Sequence, residues 1–444
     1  MIKNGNSLEL LKEIESDTVD CMVTDPPYGI SFMNRDWDKA VPDVEIWKEC
    51  LRVMKPGSFA FVMCSPRSDV QAEMVIKLKE AGFEVGFSPI YWLYSSGFPK
   101  GMNVSRAIDK KLGYERSKVR IDAKYVRNPA SIKGGHGIEG GERPYMQKSL
   151  EIGYHEMDSH VPISEEAKRL DGSYAGFQPK PAVEVIIVAM KPLTEKTYIE
   201  QALKNGKGIT WLDDGRIPYQ SDHDFEKRKR GTLKSPPRGR NGIYDMMSNE
   251  NSGIIDTDEY LNESGRFPAN ILVSDDIIND GTLHKSSTIE PTNNITHPVT
   301  QDIYGKYTRL PASEQVSYGD EGSLSRYFSL DAWYSKNIEE LPDYVQRIFP
   351  FLYVPKASSG ERNKDIKNIH PTVKPIKLIT YLVTIGSRTG ETILDPFMGS
   401  GTTGVASKIL RRNFIGFEIE GKYFEIAEQR IENREDMRAF EVEE

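Results

Sequence analysis

Apolar and polar positions along the first hundred residues fall into blocks that switch between two periods. The runs VDCMVTD, SFAFVMC and FSPIYWLY are short and apolar and read as strands. Between them lie VEIWKECLRVM, ending at KPG, and DVQAEMVIKLKEAGF. The second shows helical spacing at Val70, Met74, Ile76 or Leu78, and Phe83 after a terminating Gly82. This alternation predicts βαβ units, a parallel sheet covered by helices. From Gly97 to about Gln178 the pattern dissolves into Gly-, Ser- and charge-rich sequence such as SIKGGHGIEGGERP. The run AVEVIIVAM, 182–190, is nearly continuously apolar and β-branched, as expected of a strand buried on both faces. Residues 196–345 are again polar and turn-rich, with RFPANILVS as a short strand candidate. Regularity returns with the helix PIKLITYLVTIGSR, the strand TILDPF, the helix TTGVASKILRR, the strand FIGFEI and the helix KYFEIAEQRIENR. The expectation is one α/β domain built from discontinuous pieces, 1–100, 179–195 and 346–444, carrying insertions at 101–178 and 196–345.

Composition changes this picture little. The chain has 444 residues and three cysteines, Cys21, Cys50 and Cys64, with neither CxxC nor metal-like spacing, which points to a reduced, cytoplasmic protein without a metal site. No segment approaches the ~20 apolar residues that span a bilayer, and the N-terminus MIKNGNSLELLKEIESD lacks the apolar core of a signal peptide. The net charge of −8 argues against a polyanionic partner. Its distribution argues the other way at one place. KRKRGTLKSPPRGR, 227–240, gathers Lys227, Arg228, Lys229, Arg230, Lys234, Arg238 and Arg240 without an acid. Such a cluster is either a solvated loop or a phosphate-contacting one.

Two stretches carry candidate chemistry. TDPPYG, 24–29, ends an apolar strand in residues that cannot continue a ladder, because each proline lacks an N–H and fixes φ. Asp25, Pro26, Pro27 and Tyr28 therefore form a stiff turn with acceptors left over. ILDPFMGSGTTG, 393–404, places glycines at 399, 401 and 404 between a strand and a helix, where backbone N–H groups and the helix dipole can meet a nucleotide-like ligand. A P-loop would need Lys where this chain has Thr402. A dinucleotide fingerprint remains readable, and Glu418, ending the next strand, could accept from ribose hydroxyls in either case.

Asp25-Pro26-Pro27-Tyr28, the loop Asp395-Pro396-Phe397-Met398-Gly399-Ser400-Gly401-Thr402-Thr403 and the segment His370-Pro371-Thr372-Val373-Lys374-Pro375 together resemble the amino-methylating DNA methyltransferases, in the order of their β class. The resemblance covers both ends and the strand near residue 185. It implies a Rossmann-like methyltransferase domain with a mostly parallel sheet, S-adenosylmethionine as cofactor and double-stranded DNA as substrate, with an adenine N6 amine methylated after base flipping. Asp25 and the Pro26 carbonyl would hold the amine and Tyr28 the base. Asn6, Asp395, Pro396, Phe397, Gly399, Ser400, Gly401, Thr402 and Glu418 would line the cofactor, with His370, Thr372 and Lys374 near its carboxylate. Residues 101–178 would contact DNA and 196–345 would recognise the target. The family usually has Gly-Asp where this chain has Gly5-Asn6, and Asn6 could equally cap the helix LELLKEI. The segment around Lys374 could likewise be a simple helix start. N4-cytosine as target, a non-catalytic DNA-binding subunit and an NAD-dependent oxidoreductase are the competing readings. A homodimer and a cognate restriction nuclease are partners by analogy with relatives.

Overall fold

A computed structural model describes residues 1–29, 38–94, 101–122, 154–177, 182–219, 265–273, 284–285, 321–322, 328–339 and 373–432. The chain forms two compact units, residues 1–211 with 342–444, and residues 212–341. The first contributes strands β1 (Ile2–Asn4), β2 (Cys21–Thr24), β3 (Phe59–Cys64), β4 (Ile90–Leu93), β5 (Lys118–Asp122), β6 (Tyr154–Asp158) and β7 (Val183–Met190). The second contains β8 (Ile271–Val273), β9 (His284–Lys285) and β10 (Glu321–Gly322), after which the chain returns to the first with β11 (Thr392–Asp395) and β12 (Asn413–Glu418).

In the first unit the strands lie in the order β1-β12-β11-β2-β3-β7-β4. From β1 to β3 every pairing is parallel, and β7 runs antiparallel to both β3 and β4. The sheet is Rossmann-like and mostly parallel. β2 and β3 are buried at every position, as a sheet covered on both faces requires. One face carries the helices Ser7–Lys12, Val44–Val53 and Ser68–Glu80, whose Leu11, Trp47, Cys50, Met74 and Leu78 pack with Met22, Ala60, Val62, Ile187 and Leu394 of the strands. Helix Ile376–Gly386 packs on β2 and β3, and the helices Thr402–Ile409 and Gly421–Glu432 pack against β12. The helix Ile376–Gly386 is buried along its whole length, its Lys377, Thr380 and Thr384 included.

The block expected to be irregular after Gly97 contains ordered elements. Helix Val104–Lys111 is capped by Asn103, and β5 pairs antiparallel with β6. Asp109, 1 % exposed, accepts from Arg116 Nε at 2.8 Å, Ser164 Oγ at 2.7 Å and the Ser164 and Ile163 amides. Burial opposes its charge, yet these donors hold the carboxyl well below the usual range. Helix Tyr198–Asn205 also lies in sequence read as turn-rich. Thr197 accepts from the Glu200 amide at 3.1 Å and Gly206 closes the helix at φ 72°. In the second unit, β9 pairs antiparallel with β10, and Trp333 Nε1 donates to the Asp214 carbonyl at 2.7 Å.

The close fit between helix and sheet is testable at Gly386. A Cβ there would lie 2.7 Å from Cys21 Sγ and 2.7 Å from Phe61 Cε2. Alanine gains up to about 1 kcal/mol in helix propensity, but overpacking of this kind costs about 1–3 kcal/mol. Gly386→Ala should therefore lower the urea midpoint without changing the m value.

Candidate active site at the carboxyl edge of the sheet

β2 and β11 are parallel neighbours, so the turns that follow them emerge side by side at the carboxyl edge. Asp395, 3 % exposed, joins them. Thr24 Oγ1 donates to its Oδ1 at 2.7 Å, the Phe397 amide to Oδ1 at 3.1 Å, and Thr403 Oγ1 to Oδ2 at 2.7 Å. One carboxylate thus fixes the end of β2, the glycine loop and the start of the next helix. Ser7 Oγ donates to the Pro396 carbonyl, Trp47 meets Phe397 edge-on at 5.9 Å, and Arg430 Nη1 donates to Ser400 Oγ at 2.9 Å. Gly399 and Gly401 take φ of 52° and 80°. A Cβ on Gly401 would lie 3.0 Å from that of Ala427, so both conformation and space select glycine. Gly401 provides no side-chain cap to helix Thr402–Ile409, whose buried first turn faces the loop.

Glu418 ends β12, and its Oε1 accepts from the Glu420 amide at 2.8 Å. Burial pushes its carboxyl up to about 7 despite backbone donors at Glu420 and Gly399. Burial likewise pushes Asp395 up to about 6, against the pull of Thr403, Thr24 and the Phe397 amide. Asn6 begins the helix next to this strand. Its Oδ1 accepts from the Leu8 amide at 2.9 Å, the capping role left open by the sequence.

Across the edge, Asp25 lies in a four-residue cluster. Lys374 Nζ donates to Asp25 Oδ2 at 2.6 Å and lies 3.1 Å from Glu184 Oε2. The Tyr28 hydroxyl donates to Asp25 Oδ1 at 2.6 Å and is 3.3 Å from Lys374 Nζ. Burial would discharge Lys374, but Asp25 and Glu184 outweigh it and hold the ammonium above its usual range. Burial and the same carboxylates push the Tyr28 hydroxyl well up, so it stays protonated. The Tyr28 and Gly29 amides donate to Asp38 Oδ1 at 2.7 and 3.0 Å, which fixes the turn from behind.

The chain matches the N6/N4 methyltransferase family model, described as DNA methylase, over residues 19–429. The chain belongs to this DNA methylase family. It is similar to the type II methyltransferase M2.DpnII of Streptococcus pneumoniae, 34% identical over 123 residues, 24% of this chain and 44% of that protein. It is also similar to the type II methyltransferase M.HinfI of Haemophilus influenzae, 43% identical over 77 residues, 17% of this chain and 21% of that protein. The matched segments thus span less than half the length of either relative. A solved structure of an M1.HpyAVI–SAM complex is 15% identical, covering 97% of this chain and 98% of that one, with a TM-score of 0.35.

The cofactor of this family is S-adenosylmethionine, and the residues at the glycine loop fit it. An acid ends β12, the loop glycines keep its backbone bare, and the helix start offers amides without a side-chain cap. Of the residues expected at the site, Asp395, Pro396, Phe397, Gly399, Ser400, Gly401, Thr402 and Glu418 lie together on and beside this loop, with Asn6 after the neighbouring β1. Lys374, expected at the cofactor's carboxylate, forms ion pairs with Asp25 and Glu184. His370, Thr372 and the basic cluster from Lys227 to Arg240 lie outside the described residues. The sequence reading overlooked Glu184, Thr24 and Thr403. Glu184 had a signal, being the one charge in the apolar run 182–190.

Asp395 and Glu418 bind protons more tightly in the folded chain than their ordinary values of 3.8 and 4.5. Their contribution to stability is complete below those values and is lost as pH rises through about 6 and 7. Glu418→Gln removes one of the two titrations. Between about pH 4 and 8 the variant should therefore gain roughly 2–3 kcal/mol relative to the parent in urea unfolding.

Proposed function

We propose that the chain transfers the methyl group of S-adenosylmethionine to the N6 amine of adenine in duplex DNA. The observation that carries this reading is the Thr24–Asp395 hydrogen bond at 2.7 Å, which sets the Asp25–Tyr28 turn directly beside the glycine loop. An exocyclic amine attacks poorly because its lone pair is delocalised into the ring. Asp25 and the Pro26 carbonyl accept its N–H hydrogens and turn the lone pair toward the donor. The Tyr28 ring offers a flat face to a base turned out of the duplex. When bound, the cofactor supplies an electrophilic methyl on a positively charged sulfur. Glu418 would accept from the ribose hydroxyls, and the glycines at 399 and 401 leave the loop without side chains that would hold the ligand off.

An acid in first place of the tetrad favours adenine over cytosine, where relatives more often carry Ser. The 101–178 block and the 196–345 block supply DNA contacts and target recognition, with phosphates met by the cluster from Lys227 to Arg240. The enzyme acts in the cytoplasm, and no helix of the described residues is long and apolar enough to cross a membrane. A homodimer or an associated nuclease is compatible with this chemistry and not required by it. The intact Asp25-Tyr28 pair favours an enzyme over a non-catalytic DNA-binding subunit. An NAD-dependent reaction would leave that turn without a role.

Incubation with methyl-labelled S-adenosylmethionine and mixed-sequence duplex DNA, followed by digestion to nucleosides, should place the label in N6-methyladenine. Label in N4-methylcytosine would move the target to the other base, and no label would favour the binding subunit. Asp25→Ala should reduce transfer to background while cofactor affinity stays near that of the parent. Near-normal turnover in that variant is the result that would sink the mechanism.

Replacing Lys227, Arg228, Lys229 and Arg230 by Gln should weaken DNA binding and flatten the dependence of log K on log salt. The slope should fall by up to about 0.9 per lost phosphate contact. An unchanged slope would return the cluster to a solvated loop.

A further inference from the structure

We infer that Glu184 is a positioning residue that keeps the Asp25 site negatively charged in the presence of Lys374. This inference rests on the methyl-transfer reading above.

The argument begins with topology. β7 is antiparallel to its neighbours, so its beginning lies at the edge where the parallel strands end. Glu184, the second residue of β7, pairs in register with Trp92 of β4, and its side chain reaches the turn that follows β2, two strands away. Its Oε2 lies 3.1 Å from Lys374 Nζ and 3.5 Å from the Tyr28 hydroxyl. The side chain is only 16% exposed.

Lys374 presents a difficulty for the reaction. Its ammonium donates to Asp25 Oδ2 at 2.6 Å, the carboxylate that must support an amine becoming positive as it attacks. With Asp25 and Lys374 alone, the cluster would sum to zero charge and offer a developing cation nothing at long range. Two carboxylates against one ammonium leave one negative charge. In a partly buried site that charge acts through a low effective dielectric. Glu184 also gives Lys374 a second anion, so the ammonium need not hold Asp25 alone when the amine's N–H groups arrive. Tyr28 remains a neutral donor to Asp25 and leaves the sum unchanged.

The test uses the full chain, duplex DNA and methyl-labelled S-adenosylmethionine. Glu184→Gln makes the cluster neutral and should lower kcat roughly 10- to 100-fold, the worth of one charge-assisted interaction. Cofactor Kd should stay within about twofold, since Glu184 acts through Lys374 and not on the glycine loop. Adding Lys374→Gln restores the single negative charge, so the double variant should turn over at least about tenfold faster than Glu184→Gln alone. A merely structural loss would worsen with the second change. If the double variant unfolds by its thermal midpoint, Lys374→Met in the same background replaces it. Turnover of Glu184→Gln at the parent rate, or a double variant no faster than the single, would overturn the inference while leaving the methyl-transfer reading intact. A parent protein that labels no DNA would instead remove that reading and the inference with it.

Discussion

The hydrogen bond from Thr24 to the buried carboxylate of Asp395 joins residues 371 positions apart in the chain, and the geometry of the site depends on it. Charged hydrogen bonds of this kind contribute about 1.5–3 kcal/mol each, while burial of the acid works against them and raises its pKa. Burial prevails in the pKa, yet the three donors on one carboxylate tie together three segments: the end of β2, the loop at Phe397 and the helix at Thr403. Asp395 is therefore spent inside the protein.

Charge at the carboxyl edge follows from the strand directions. Parallel strands deliver Asp25, Asp395 and Glu418 to one end, because each stands at or just past the end of its strand. The antiparallel β7 adds Glu184 from its beginning. Lys374, on the segment entering helix Ile376–Gly386, provides a cation among these carboxylates, and it sits on the Asp25 side. Among the described residues no cation is paired with Glu418, and burial pushes it toward neutrality.

Much of this was legible in the sequence where a period and a punctuating residue coincide. The strands of the sheet other than β1, the helices beside them and the two turns at Asp25 and Gly399 were readable because apolar runs end in Pro or Gly there, whereas the three residues of β1 lie in a polar N-terminus and gave no such run. What the sequence did not show has two physical causes. The short polar helix Val104–Lys111 is tied through Asp109 to Arg116, Ile163 and Ser164, residues that flank the β5–β6 pair, a tertiary cluster without local periodicity. Helix Tyr198–Asn205 did have a local sign, Thr197 three residues before Glu200 and Gly206 after it, outweighed by its polar surroundings. The direction of β7 was not legible at all, since a strand buried on both faces reads the same either way. With that direction unknown, Glu184 could not be placed beside Asp25.

The sign of the edge also bears on how a reaction there would finish. Carboxylates grouped in a half-buried site attract a cationic ligand more than a neutral one of the same shape, and the low local dielectric enlarges the difference. A sulfonium donor is cationic before it gives up its methyl and neutral afterwards. The attraction that draws such a donor to the edge would thus weaken with the transfer itself. Burial of the acids, which costs stability, would thereby favour a cationic ligand over a neutral one.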